Sequence, residues 1–153
     1  MLTSKARYGL KAMSVLARRF AEGTLISVEE IAEAEDIPIK FLEATLTQLR
    51  KRGLLISRRG PAGGFVLARP PEEISLAEVI RTLDGPFAPT TCSRTRNPVR
   101  CEGCDNMELC MIRPIMREVR DAMAEVLERR TVKDLVVGSP GRGMSQYIPM
   151  YNI

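Results

Sequence analysis

The sequence predicts a mainly α fold: a winged helix-turn-helix domain with a small β-hairpin wing, followed by one long helix. Three observations carry this. Residues 27–52 hold two helical patterns separated by a break, residues 54–67 hold two strand-like runs around a glycine-rich tip, and residues 108–130 repeat apolar side chains at alternating four- and three-residue steps.

Thr3 or Ser4 can cap a first helix that runs to about Glu22 and stops at Gly23. Tyr8, Leu10, Met13, Leu16, Ala17 and Phe20 recur near the helical period and form its core side, with Arg7, Lys11, Arg18 and Arg19 outside. Ser27 and Glu30 make a capping box, in which each side chain satisfies a free backbone donor at a helix start. Val28, Ile31 and Ala32 continue that helix to about Ala34, and Glu35-Asp36 breaks the pattern. Pro38 lacks a backbone donor and suits the first turn of the next helix, where that donor would be free anyway. Phe41, Leu42, Ala44, Leu46 and Leu49 are expected on its inner side, and Gly53 after Arg52 stops it.

The outward groups of this second helix are Lys40, Glu43, Thr45, Gln48, Lys51 and Arg52, with Arg50 nearby. Most can reach base edges or phosphates, although an isolated basic helix face is more often simply solvated. The following hairpin shifts that balance. Residues 54–57 and 65–67 are strand-like, and the tip between them holds Arg58, Arg59, Gly60, Gly63 and Gly64. Glycines let the backbone turn tightly and approach a partner closely, while the two arginines offer planar forks for phosphate or a narrow minor groove. The tip is not a P-loop, because it lacks the Gly-Lys-Ser/Thr ending and leads into a strand.

Residues 68–71 close the hairpin, and Ser75 with Glu78 forms a second capping box. Leu76, Val79, Ile80 and Leu83 face inward on the helix that follows, which Asp84-Gly85-Pro86 ends. From 87 to about 107 there is no periodicity; this loop holds Cys92, Cys101 and Cys104, with Cys110 at the start of the next helix. That helix, 108–130, carries the seam Ile112, Met116, Val119, Met123 and Val126, widened by Ile115 and Leu127. Spacing alone leaves open whether the seam lies on its own domain or on a twin helix from another subunit. Thr131 and Asp134 start a last helical turn that ends near Val137, and 138–153 reads as a flexible tail able to dock through Tyr147, Ile148 and Tyr151.

Composition bounds the function. A chain of 153 residues with 44% hydrophobic content is one compact domain, or one with an appended helix. The net charge of +4 permits a polyanionic partner, and the basic run 50–59 is more telling than the total. No leader and no long apolar run is visible, so a cytoplasmic protein with no membrane partner is expected. In that reducing compartment four cysteines suggest metal or redox chemistry more than disulfides. No acid, base or nucleophile constellation points to an enzyme, and no CxxC opens a helix beside a strand as in a thioredoxin context.

The segments 2–13, 41–55 and 58–86 and the cysteine group together resemble the Rrf-type bacterial transcription regulators, over roughly 1–137. The wing matches the IscR-like branch best, at Arg59 to Gly64. This resemblance implies a homodimeric DNA-binding regulator, with Ser27, Lys40, Phe41 and Glu43 at or near the DNA and the wing in an adjacent minor groove. Two-fold symmetry then implies double-stranded DNA with a near-palindromic operator. It also makes the long helix the dimerisation helix, dividing the chain into 1–85 (winged helix), 86–110 (cysteine loop), 111–137 (dimerisation helix and last turn) and 138–153 (tail). Where NsrR-like members place an Asp that reaches the partner's cluster, this chain has Arg7, which cannot ligate.

The spacing Cys92-x8-Cys101-x2-Cys104-x5-Cys110 matches neither a zinc ribbon nor a ferredoxin run, but thiolates in one loop suit an iron-sulfur cluster or zinc. The resemblance implies an iron-sulfur cluster, of either the 2Fe-2S or the 4Fe-4S type, that controls operator affinity, most simply in a repressor. Arg113 stands where IscR-like members carry a His ligand, and the chain has no histidine. The expected ligand set is therefore all four cysteines, with Glu102, Asp105, Glu108 or a partner group as substitutes for one. Arg94, Arg96 and Arg100 either favour thiolate or are solvated loop charge. The alternatives are zinc or a thiol switch at the cysteines, and a winged-helix module used for protein contact.

Overall fold

A computed structural model of the chain describes residues 2–137. The order is α1 (Ser4–Arg18), α2 (Val28–Glu35), α3 (Ile39–Lys51), β1 (Leu55–Arg58), β2 (Gly64–Leu67), α4 (Leu76–Asp84), α5 (Ile112–Arg129) and α6 (Val132–Val137). This is the mainly helical winged arrangement expected. The tail expectation for 138–153 lies outside the described residues.

Helix α1 sits at the centre, packing on α3, α4 and α6. Thr3 caps it by accepting from the Ala6 N–H at 3.2 Å, and the Thr3 N–H and hydroxyl both donate to the Asp84 carboxylate at the end of α4. A 3-10 turn, Phe20–Glu22, continues α1 to Gly23, whose φ of 63° ends it as expected. Met13 and Leu16 of α1 meet Ile31, Leu42, Leu46, Leu49, Ile74, Val79 and Val132 in one core.

Gly9 decides how closely α1 and α4 approach. A Cβ there would lie 2.2 Å from Leu83 Cδ1. Leu83 is itself buried, so it has little room to retreat.

Helix α2 begins with the capping box: the Ser27 hydroxyl accepts from the Glu30 N–H at 3.2 Å, and the Ser27 N–H donates to Glu30 Oε2 at 2.9 Å. The second expected box forms only by half. Ser75 does cap α4, but the Glu78 carboxylate is taken by Arg69 at 2.7 Å.

The wing strands pair antiparallel, Leu55 opposite Leu67 and Arg58 opposite Gly64. A bridge between Ile26 and Phe65, through hydrogen bonds of 3.0 and 2.8 Å, ties the hairpin to the residues just before α2. At the other end, Ser75 bridges Thr131, and the Val132 N–H donates to the Ile74 carbonyl at 2.9 Å, so α6 returns to the start of α4.

Two outcomes follow from these contacts. Gly9→Ala gains about 1 kcal/mol of helix propensity but overpacks the α1–α4 seam by about 1–3 kcal/mol, so urea unfolding should show net destabilisation. In a Leu83→Ala background the space is open, and the same substitution should stabilise. The Glu30 carboxyl is held below its ordinary value, first by the Ser27 backbone N–H and further by the Ser27 hydroxyl and Arg19. A depressed carboxyl contributes stability above its unfolded-state value and loses it as pH falls through the folded-state value. The stability gap between the natural chain and Glu30→Gln should therefore be present at neutral pH and close in acid.

Candidate nucleic-acid interface and thiol loop

The inner stripe of α3 is Leu42, Thr45, Leu46 and Leu49. This corrects the expected phase of the helix. Thr45 is 1% exposed, and its hydroxyl donates to the Phe41 carbonyl at 2.8 Å, which lets a polar residue sit inside without an unpaired group. Thr45 is therefore a core residue and not a base-reading one. Phe41 and Ala44, expected inside, lie outside, with Phe41 66% exposed. Gln48 is half-buried and spends its side-chain N–H on the Thr82 carbonyl of α4. It is a link between helices before it is a contact for any ligand.

What remains outward on α3 is Lys40, Phe41 and Glu43 at its start and Arg50, Lys51 and the capping Arg52 at its end. Ser27 is half-buried, with its hydroxyl oxygen in the cap and its hydroxyl hydrogen left to donate. The first turn of α1 adjoins this surface: Thr3, Ser4, Lys5 and Tyr8 share with Phe41, Ala44 and Thr45 an open groove of about 590 Å³. The sequence reading missed that neighbour. Nothing in the α1 pattern signals it, because it arises from how α1 crosses α3.

In the wing, Arg58, Arg59 and Gly60 are exposed, so the basic tip is presented as expected. Gly63 and Gly64 are demanded by the chain's own backbone: an added Cβ would lie 2.3 Å from the Arg58 carbonyl oxygen at Gly63 and 2.5 Å from the Ile26 oxygen at Gly64. Their close approach is intramolecular.

Residues 87–111 wrap around the start of α5, with one 3-10 turn, Thr91–Ser93. All four cysteines are free; Cys92 is buried and Cys101, Cys104 and Cys110 are half-buried. The Thr91 hydroxyl lies 3.5 Å from Cys101 Sγ and the Thr90 hydroxyl 3.2 Å from Cys92 Sγ. The Thr91 hydroxyl, then the backbone and thiol of Cys92, pull the Cys101 thiol below its ordinary value. Cys104 is pushed up, first by burial and then by the neighbouring charges of Cys110 and Cys101. Cys101 and Cys104 line a shallow cleft of about 440 Å³ with Arg100, Glu102 and Asp105.

The donor chemistry fits a soft metal centre, since four free thiols, soft ligands once ionised, gather on one loop. Among the described residues no three thiols or carboxylates already stand in ligating reach of one point, so binding requires the loop to draw in. Arg113, which stands in place of the family's histidine ligand, is 8% exposed and donates to the Cys92 and Met107 carbonyls. Helix α5 accordingly starts at Ile112, later than the expected 108.

The expected seam on α5 splits. Ile112, Ile115, Val119, Met123 and Val126 are exposed, between 39% and 62%, whereas Met116 and Leu127 turn partly toward the domain with Arg113 and Arg120. Among the described residues no helix is long and apolar enough to cross a membrane. The phase of α3 sets a ranking that urea unfolding checks: Thr45→Ala should cost about 1–2 kcal/mol, and Phe41→Ala should stay within about 0.5 kcal/mol of the natural chain.

Known proteins match this architecture along its length. The family model Rrf2, described as an iron-dependent transcriptional regulator, matches residues 2–138. The chain is 33% identical to the transcriptional regulator IscR of Pectobacterium carotovorum over 135 residues, covering 88% of this chain and 78% of that protein. The solved structure of CymR, the global cysteine regulator of B. subtilis, superposes with a TM-score of 0.73 at 32% identity, covering 91% of this chain and 98% of that one. T. potens IscR superposes with a TM-score of 0.70 at 28% identity, covering 96% of both chains. The chain thus belongs to the Rrf2 family of transcriptional regulators, a family of DNA-binding proteins and not of enzymes.

Proposed function

We propose that this regulator is a cytoplasmic homodimer, most simply a repressor, whose affinity for a near-palindromic operator is set by an iron-sulfur cluster held through Cys92, Cys101, Cys104 and Cys110. The observation that carries this is the gathering of every cysteine of the chain on the one loop that packs against the start of α5. When bound, such a cluster ties several thiolates to one centre and responds to iron-sulfur supply, oxidants or nitric oxide. Zinc on the same thiols, or a thiol switch, is the second reading, and the similarity to CymR favours keeping it.

The dimer rests on the exposed apolar stripe of α5, which continues at the loop into Leu109 and Met111, 80% and 87% exposed. A second copy of the same stripe would remove both from water and set the two loops close together. Each protomer would then present α3 to the major groove through Lys40, Phe41 and Glu43, and Arg58 and Arg59 to the neighbouring minor groove. Lys51, Arg52 and the Ser27 hydroxyl would meet phosphates. Lys5, beside the same groove, extends that positive surface.

Arg59→Ala should weaken binding to all sequences alike and flatten the salt slope by about one unit, whereas Glu43→Ala should cost roughly 1–3 kcal/mol mainly on the preferred site. Gel shifts with genomic fragments across a salt series distinguish the two. Iron, sulfide and zinc analysis of anaerobically prepared protein tests the cluster. Tight operator binding by a colourless, metal-free sample, unaffected by reconstitution, overturns its role.

A further inference from the structure

We infer that Arg113 and Arg120 are positioning residues: two guanidiniums on the inner face of α5 that clamp the Cys92 end of the thiol loop to that helix, so that a change in the loop is delivered to α5. This deepens the proposed control of DNA binding by the loop and rests on it.

The pair lies seven residues apart, two helical turns, on the one face of α5 that meets the domain. Their side chains are only 10% and 15% exposed. Arg113 Nε donates to the Cys92 carbonyl at 3.2 Å and its NH1 to the Met107 carbonyl at 3.4 Å and to Glu108 Oε1 at 2.9 Å. Arg120 NH1 donates to the Ser93 carbonyl at 2.5 Å, while its Nε and NH2 hold Asp121. The two arginines thus grip consecutive carbonyls of the 3-10 turn that carries Cys92, and Arg113 also holds the far side of the loop just ahead of Cys110.

Glu108 and Asp121 are 81% and 65% exposed, so surface ion pairs do not account for burying two guanidiniums. The carbonyls do, because a buried guanidinium is tolerated only when its N–H groups find acceptors. The constraint is reciprocal. The Cys92 peptide cannot move without dragging or releasing Arg113, and the Ser93 peptide is bound likewise to Arg120. A loop that must draw in to bring its thiols together moves these peptides. An ammonium has no fork that could hold both a carbonyl and a neighbouring carboxylate in this plane.

The full chain, with Arg120→Gln and Arg120→Lys variants, tests this. Each is reconstituted with iron and sulfide and compared with its own apo form. Iron and sulfide per chain and the visible absorption bands report the thiolate site; gel shifts report the loaded-to-apo ratio of DNA affinity. The expected result is that Arg120→Gln keeps the iron, sulfide and spectrum of the natural chain while its affinity ratio, about 5–150-fold where such coupling operates, collapses toward one, and that Arg120→Lys does not restore it. Arg120→Gln with an unchanged ratio overturns the inference and leaves the proposed control standing. A natural chain with no difference between its loaded and apo forms overturns both. Should Arg120→Gln not fold, hydrogen exchange on the natural chain decides: the first two turns of α5 must change protection on reconstitution together with residues 91–99, and unchanged protection in α5 overturns the inference.

Discussion

The contact on which the molecule depends is the seam between α1 and α4. It is closed by the absence of a side chain at Gly9 and fastened at one end by Thr3 on Asp84. Helix α3 rests on both of these helices, with Leu42, Thr45, Leu46 and Leu49 turned inward and Gln48 bonded to α4. Its outward face is therefore a consequence of that seam. Widening the gap would rotate or release the helix that presents Lys40, Phe41 and Glu43, without altering any of those three residues.

The wing depends on a second close approach. Gly64 lies against Ile26, and the two backbone hydrogen bonds between Ile26 and Phe65 join the hairpin to the segment leading into α2. The basic tip is thereby held to the same body as α3 and does not hang from β1 alone. This arrangement uses backbone groups that would otherwise be left unpaired beside the core, and it makes the glycine pair structural in origin even where the arginines beside it serve a partner.

Much of this was legible in the sequence, for identifiable reasons. The Ser27 capping box, the stop at Gly53, the paired strand runs and the end of α4 are local signals, and local hydrogen bonding decides them. The phase of α3 was misread because a β-branched hydroxyl residue, Thr45, behaves as an apolar one once its O–H is given to the Phe41 carbonyl, and because Phe41 looks like core in any hydropathy pattern. Arg113 reads in sequence only as a lost ligand; its burial depends on the Cys92 carbonyl, about twenty residues earlier, which no periodicity reports. The neighbourhood of Lys5 and Phe41 is likewise a product of helix crossing. The split of the α5 stripe into an outer aliphatic row and an inner row with two arginines was half visible, since the heptad spacing was plain but the charged positions within it were assigned to no face.

Helix α5 is secured at both ends to different parts of the body. Its beginning is held by the loop carbonyls through Arg113 and Arg120, and its end turns through Arg130 and Thr131 into α6, Thr131 and Val132 pairing with Ser75 and Ile74 at the threshold of α4. A rod pinned in this manner has a fulcrum. Displacement at the sulfur end would tilt it about the far attachment, and that attachment abuts the helix whose opposite end carries Asp84, bonded to Thr3 ahead of α1. Under the proposed control, the mechanical route from the thiols to α3 would be a lever whose arm is α5 and whose pivot is its junction with α4.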